Sequence, residues 1–299
     1  MKTDKPTDAM PRNCPIATDA IRSSSPAKRS PIQVCLGWAL ALIVSNTAAM
    51  AAETVTVATR GDMNQSVYLD APSANPRWVV VLFAGDDGAV ALSSDGPTKK
   101  RGNFLVRTAS YWTSAGDAAA IFDAPSDRAS GMDDAFRLSD AARRDVAAVV
   151  AELRKRYPGA KVALVGTSRG TITVGNVLRR DPALADAFVL TSPVTVAVHG
   201  QPGLSGLDWP RGSARVLVMS NEHDVCVASP FRAAQRMATD YGFDFIAVSS
   251  TQGGGNKHAD CGGQAPHGYL GIEQEALAAI TGWLGGRAPA SGAAGASAE

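Results

Sequence analysis

From residue 53 onward the chain alternates between short apolar runs and longer stretches in which apolar residues recur every three or four positions. The run Trp78-Val79-Val80-Val81-Leu82-Phe83 is continuous and uncharged. That is the pattern of a strand buried on both faces of a parallel sheet. Runs of the same kind cover residues 118–122, 162–165, 187–191, 216–219 and 243–248, and two β-rich runs precede them at 54–59 and 65–69. The clearest helical pattern starts at Ser139 as N-cap and ends near Tyr157. Its apolar face is Val146, Val149, Val150 and Leu153, Asp140 occupies the first turn, and Pro158-Gly159 stops it. A second helix is expected from Gly170 to Arg180, and residues 272–284 read as the last one. Strands alternating with helices predict an α/β domain built on a doubly wound, mostly parallel sheet with helices on both faces.

The N-terminal 51 residues depart from this pattern. A polar, Pro- and Ser-rich stretch ends in Lys28 and Arg29, an apolar run follows from Leu36 to Val44, and small residues Ala48-Ala49-Met50-Ala51-Ala52 come next. A basic segment, a short apolar segment and an A-x-A site make a secretory signal peptide, with cleavage expected after Ala51 or Ala52. The apolar run falls short of the roughly 20 residues needed to span a bilayer. Cys35 precedes it without a lipobox, which argues against a lipoprotein. The expected organisation is therefore an extension and signal peptide at 1–51, one domain at 52–284, and a Gly/Ala/Ser-rich disordered tail at 285–299. The expected location is periplasmic or secreted, with no stable membrane anchor after cleavage.

With 45% hydrophobic and 19% charged residues, the composition is that of a folded domain. A net charge of +1 excludes a bulk electrostatic grip on nucleic acid or anionic lipid. Without residues 1–51 the chain loses six basic and three acidic residues, leaving 23 against 25. Of four cysteines only Cys226 and Cys261 then remain, and in an oxidising compartment they are expected to pair.

The strongest chemical signal is Gly166-Thr167-Ser168-Arg169-Gly170, which follows a buried strand and opens a helix. A sharp turn there exposes a serine hydroxyl at the carboxyl end of the sheet, above helix amides that favour negative charge. A serine needs a base to take its proton and a carboxylate to orient that base. Asp224, just past the strand at 216–219, is the candidate acid, with Glu222 and Asp208 as competitors. His199 and His223 come too early in the chain for the base, whereas His258 and His267 follow the last strand. His267, in Pro266-His267-Gly268-Tyr269 directly before the closing helix, is preferred over His258. A Cys226–Cys261 bridge would tie the acid loop to the histidine loop. A tetrahedral intermediate also needs amide donors. The amide of Arg169 is one candidate, and Asp86 in the loop Ala84-Gly85-Asp86-Asp87-Gly88 is the other, provided its carboxylate turns away. The Arg169 side chain is expected to pack or pair within the fold, with attraction of an acidic substrate as the alternative.

From about Trp78 to Leu284 the chain resembles the α/β-hydrolase superfamily, on the strength of the Ser168 motif, Asp224 and the His267 turn in that order. The resemblance implies an eight-stranded, mostly parallel sheet and cofactor-free attack by serine through an acyl-enzyme. It departs from many members in lacking a His-Gly start to the oxyanion loop. Residues 192–212 are the one candidate for a cap, and their Pro/Gly content predicts a short loop, hence an open site.

Other features read as structural. The stretch Asp123-Ala124-Pro125-Ser126-Asp127 fits either a pocket wall or a turn, and Asp133 and Asp134 should diverge. Gly253-Gly254-Gly255 reads as a flexible loop with no phosphate-binding sequel. No metal-site spacing is present among the Asp and His residues. The expected function is an exported serine hydrolase acting, without cofactor or metal, on a small or surface-presented acyl substrate. A serine peptidase on the same fold, or a binding protein that keeps the fold, are the alternatives.

Overall fold

The computed structural model of the chain describes residues 51–256 and 258–288. The expected signal peptide, apart from Ala51, lies outside them, as do Cys14, Cys35, Lys257 and all of the tail beyond residue 288. No helix among the described residues is long and apolar enough to cross a membrane.

Eight strands form one sheet: β1 Glu53–Ala58, β2 Asn64–Asp70, β3 Trp78–Phe83, β4 Ala118–Phe122, β5 Lys161–Thr167, β6 Ala187–Thr191, β7 Val216–Asn221 and β8 Asp244–Val248. Their spatial order is β1-β2-β4-β3-β5-β6-β7-β8. The pairs β1–β2 and β2–β4 are antiparallel and the rest parallel. All eight expected strands are present, within two residues at their ends. One expectation needs correction: β8 is not buried on both faces, because it is the sheet edge and only Val248 is fully covered.

The helices are α1 Phe104–Arg107, α2 Ala109–Ser114, α3 Asp134–Arg137, α4 Asp140–Arg156, α5 Gly170–Arg180, α6 Phe231–Tyr241 and α7 Glu273–Leu284. The Ser139 hydroxyl accepts from the Ala142 amide at 3.2 Å, so it caps α4 as its sequence position requires. Successive side chains of a strand point to opposite faces. On β3, Val79, Val81 and Phe83 accordingly enter a core shared with α4, α5 and α6. Trp78, Val80 and Leu82 enter a second core with α1, α2 and α7, built around Phe104, Trp112, Tyr269 and Trp283. Two cores pressed on a central strand make β3 and β5 the rigid axis of the molecule, and the candidate nucleophile sits at the carboxyl end of that axis.

The connection from β6 to β7, residues 192–215, carries no helix. Val194, Leu204 and Trp209 are buried in it, and the Trp209 indole donates to the Gly175 carbonyl at 2.9 Å. It is a loop tucked against α5, as the short-cap expectation requires. The Asp123 turn is structural and does not wall the cleft. Its carboxylate accepts from the amides of Val90, Ala91 and Leu92, and Asp127 pairs with Arg60 at 2.7 Å. The three glycines at 253–255 are also more constrained than a free loop. The Gly254 amide donates to Gln264 at 3.0 Å, and a Cβ on Gly253 would run into the same carbonyl. At the start of the tail, the Arg287 amide folds back onto the Gly282 carbonyl at 3.0 Å.

Candidate active site

The turn after β5 holds Ser168 at φ 51°, in the left-handed region that a non-glycine residue adopts only when its surroundings insist. The flanking glycines explain how the turn closes. A Cβ on Gly166 would lie 2.7 Å from the Gly170 backbone, and one on Gly170 would collide with the Phe83 carbonyl. The Ser168 amide donates to Thr191 O on β6 at 3.0 Å, and its carbonyl accepts from the Thr171 amide at 2.9 Å. Ser168 is thereby fastened to the sheet on one side and to α5 on the other.

The candidate acid and the candidate base meet. His267 Nδ1 lies 2.8 Å from Asp224 Oδ2, with both side chains buried. An ionised carboxylate only accepts, so Nδ1 carries the hydrogen and Nε2 of the neutral ring is left as an acceptor. Nε2 has no hydrogen-bond partner among the described residues, and His267 lines the same cleft as Ser168. The other candidates stand elsewhere. Glu222, Asp208, His199 and His223 are exposed and outside the cleft lining, and His258 is exposed at the cleft wall.

Three polar residues that sequence reasoning missed hold this pair. Asn221, fully buried at the end of β7, donates to Pro266 O at 3.0 Å and Ser250 O at 3.1 Å and accepts from the His223 and Ser250 amides. The acid loop and the histidine loop thus share one amide side chain. Ser192 at the end of β6 donates to the His267 carbonyl at 2.7 Å, and Tyr269 donates to Met219 O at 3.0 Å. Burial raises the Tyr269 phenol pKa, so the group stays neutral. The bond Cys226–Cys261 joins the same two loops, with Cα atoms 4.7 Å apart. Asp224, Cys226 and His267 cluster closely enough to suggest metal ligands. Their chemistry does not fit, because the sulfur is consumed in the disulfide and the carboxylate by the imidazole.

The loop after β3 presses on Ser168: a Cβ on Gly85 would lie 2.9 Å from Ser168 Cβ. The Gly88 amide donates to Gly85 O at 3.1 Å. The trans peptide puts its N–H opposite its C=O, so the Asp86 amide faces out of this turn. Asp86 itself is at φ 54°. Its carboxylate turns to Lys100, which also pairs with Asp87 at 3.0 Å. Partial burial opposes ionisation of Asp86, but the hydrogen bond and charge of Lys100 outweigh it and hold the carboxyl below its ordinary range. Lys100, unremarked in the sequence, pairs with both aspartates and offsets part of their negative charge beside the cleft. The Arg169 side chain is tied to the buried Asp134, with Nε 2.9 Å from Oδ1, as its expected pairing within the fold requires. Asp133 diverges from its neighbour to cap α3 through the Phe136 amide at 2.8 Å. The cleft encloses about 470 Å³ and is lined by Gly85, Asn103, Phe104, Ser168, Val194 and His267 among others.

No known family model matches the chain, and no curated protein matches it by sequence. Solved structures do match it in shape. An α/β serine hydrolase without a lid from Xanthomonas campestris is similar at TM-score 0.52 and 15% identity, covering 77% of this chain and 94% of its own. An esterase from Pyrococcus furiosus gives TM-score 0.55 at 10% identity over 79% and 91% of the two chains. Est1E from Butyrivibrio proteoclasticus gives 0.50 at 12% identity over 78% and 97%. The strand order, the turn at Ser168 and these likenesses together show that the chain has the α/β-hydrolase fold.

Proposed function

We propose that this protein is a serine hydrolase that cleaves an ester or related acyl bond through Ser168, His267 and Asp224. The observation that carries the reading is the pairing of His267 Nδ1 with buried Asp224 while Nε2 remains an unengaged acceptor in the cleft that Ser168 enters. Ser168 Oγ attacks the substrate carbonyl and gives its proton to Nε2, and Asp224 stabilises the imidazolium. The carbonyl oxygen becomes an anion that accepts from the amides of Arg169 and Asp86. Collapse breaks the acyl–oxygen bond, and the departing alkoxide takes the proton from Nε2. Water then repeats the sequence on the acyl-enzyme and releases the carboxylic acid.

The substrate class is a small or surface-presented acyl compound. Two observations support it: the β6–β7 connection, the candidate cap, carries no helix, and the large hydrophobics most exposed among the described residues are Val196, Val225 and Val227. Val196 and Thr195 donate to the Ala228 carbonyl, which brings those two segments side by side next to the cleft-lining Ala228. The lidless hydrolase and the esterase among the structural likenesses agree with this reading. The signal-like N-terminus and the disulfide support export as part of this reading, since such bonds persist in oxidising compartments. Hydrolysis of p-nitrophenyl esters and of a peptide amide by wild type and Ser168→Ala tests the proposal. Ester turnover that vanishes in a folded variant is expected, and equal turnover in both proteins would overturn it.

A further inference from the structure

Arg137 closes α3 with its side chain fully buried, yet among the described residues no carboxylate forms an ion pair with it. Nη1 donates to Thr173 Oγ1 on α5 at 3.1 Å, Nη2 donates to the Asp86 carbonyl at 3.0 Å, and Nε has no acceptor. Burial, then the neighbouring charge of Arg169, lowers its pKa to about 10, so it remains a cation at neutral pH. Burying a charge without a direct counter-ion is unfavourable, and an apolar residue of similar volume usually serves stability as well or better. The guanidinium therefore calls for a reason other than stability.

Its partners supply one. Thr173 belongs to the helix whose head presents the Arg169 amide, and Asp86 belongs to the loop that presents the second donor. One side chain bridges both walls of the oxyanion site. The loop is also shaped to receive it, since a Cβ on Gly88, at φ 75°, would lie 2.5 Å from Nη2. Asp86 is held in the left-handed region, a conformation that persists only when neighbouring contacts over-determine it.

Resting on the hydrolase reading above, we propose that Arg137 is a positioning residue for the oxyanion site. It locks the loop at residues 84–88 to α5 and holds a positive charge behind the Asp86 carbonyl, which favours the transition state over the bound substrate. The test compares Arg137→Met, Arg137→Lys and Thr173→Val on p-nitrophenyl acetate, with phenylboronic acid as the tetrahedral mimic and thermal melting as the check of fold. Deleting a direct oxyanion donor costs roughly 10²–10³ in kcat. A residue acting one bond further back is expected to cost about 10- to 100-fold in Arg137→Met, with KM within about twofold and boronate affinity falling in step. Arg137→Lys should recover part of the loss by restoring the charge. Thr173→Val, which removes only the α5 anchor, should lower kcat by about threefold or more at constant KM. Wild-type kcat in a folded Arg137→Met, or a loss confined to KM, would overturn the proposal. If Arg137→Met does not fold, Thr173→Val decides on the same criteria. A wild-type protein with neither ester turnover nor a reactive Ser168 would instead defeat the hydrolase reading itself.

Discussion

Asp224 and Cys226 are bound to each other through the backbone: the Cys226 amide donates to Asp224 Oδ1 at 2.9 Å while Oδ2 faces His267. The residue that starts the disulfide thus also orients the Asp224 carboxylate, and the bond's other end, Cys261, lies six residues before His267. Closing a loop of this size stabilises by roughly 3–4 kcal/mol in the chain-entropy model. Reduction, or Cys261→Ser, is accordingly expected to lower Tm and to lower kcat at temperatures where the protein is still folded. Calorimetry and ester kinetics with and without reductant check this, and an unchanged Tm would remove the disulfide from the account.

Asp224→Asn should leave the fold intact and reduce kcat by about 10⁴-fold, because the amide no longer fixes the imidazole tautomer or stabilises its cation. Initial rates at saturating ester, with a melting curve on the same sample, measure both halves of that statement.

Asn221→Ala removes four hydrogen bonds at once and leaves the carbonyls of Ser250 and Pro266 without their donor. Unsatisfied buried groups cost about 1–3 kcal/mol each, so a loss of at least about 2 kcal/mol is expected in urea unfolding. The loss of activity should exceed what the unfolded fraction explains, because the two loops lose register with each other.

Asp117 gives a pH dependence of opposite sign to the usual carboxylate. It is buried at the start of β4, with Arg77 3.6 Å away, and burial raises its pKa more than Arg77 lowers it. The folded state therefore binds the proton more tightly than the unfolded one. Its contribution is fully present below the unfolded pKa and is lost as pH rises through the folded value. Asp117→Asn should raise Tm by a few degrees at pH 7 and have little effect at pH 3. Melting curves at the two pH values test the sign.

The sheet and the residues of the candidate site were legible in the sequence because each rests on local signals. Buried strands are short apolar runs, Ser139 caps its helix within three residues, and glycines at 166 and 170 mark the turn at Ser168. Helix α6 carries a helical stripe of Phe231, Ala234, Met237, Ala238 and Tyr241, but only its two alanines are fully buried and charged residues interrupt the run, so it stands out less than the valine- and leucine-rich face of α4. Helices α1 and α2 are too short for a period to show, with a break at Thr108. Asn221, Lys100 and Arg137 read as ordinary polar residues because their partners are distant in the chain. Lys100 finds Asp86, Arg137 finds Thr173, and Asn221 finds Pro266 only once the sheet has assembled. Charge and amide chemistry of that kind is written in tertiary contacts, which a linear pattern does not display.

The central claim is that Ser168 is an activated nucleophile with His267 as its base. Labelling the purified protein with a fluorophosphonate, followed by mass analysis of the peptide containing Ser168, tests it most directly. One stoichiometric adduct on Ser168 is expected, lost in His267→Ala and retained in His258→Ala. No adduct on the folded wild-type protein, or an adduct that survives loss of His267, would contradict it.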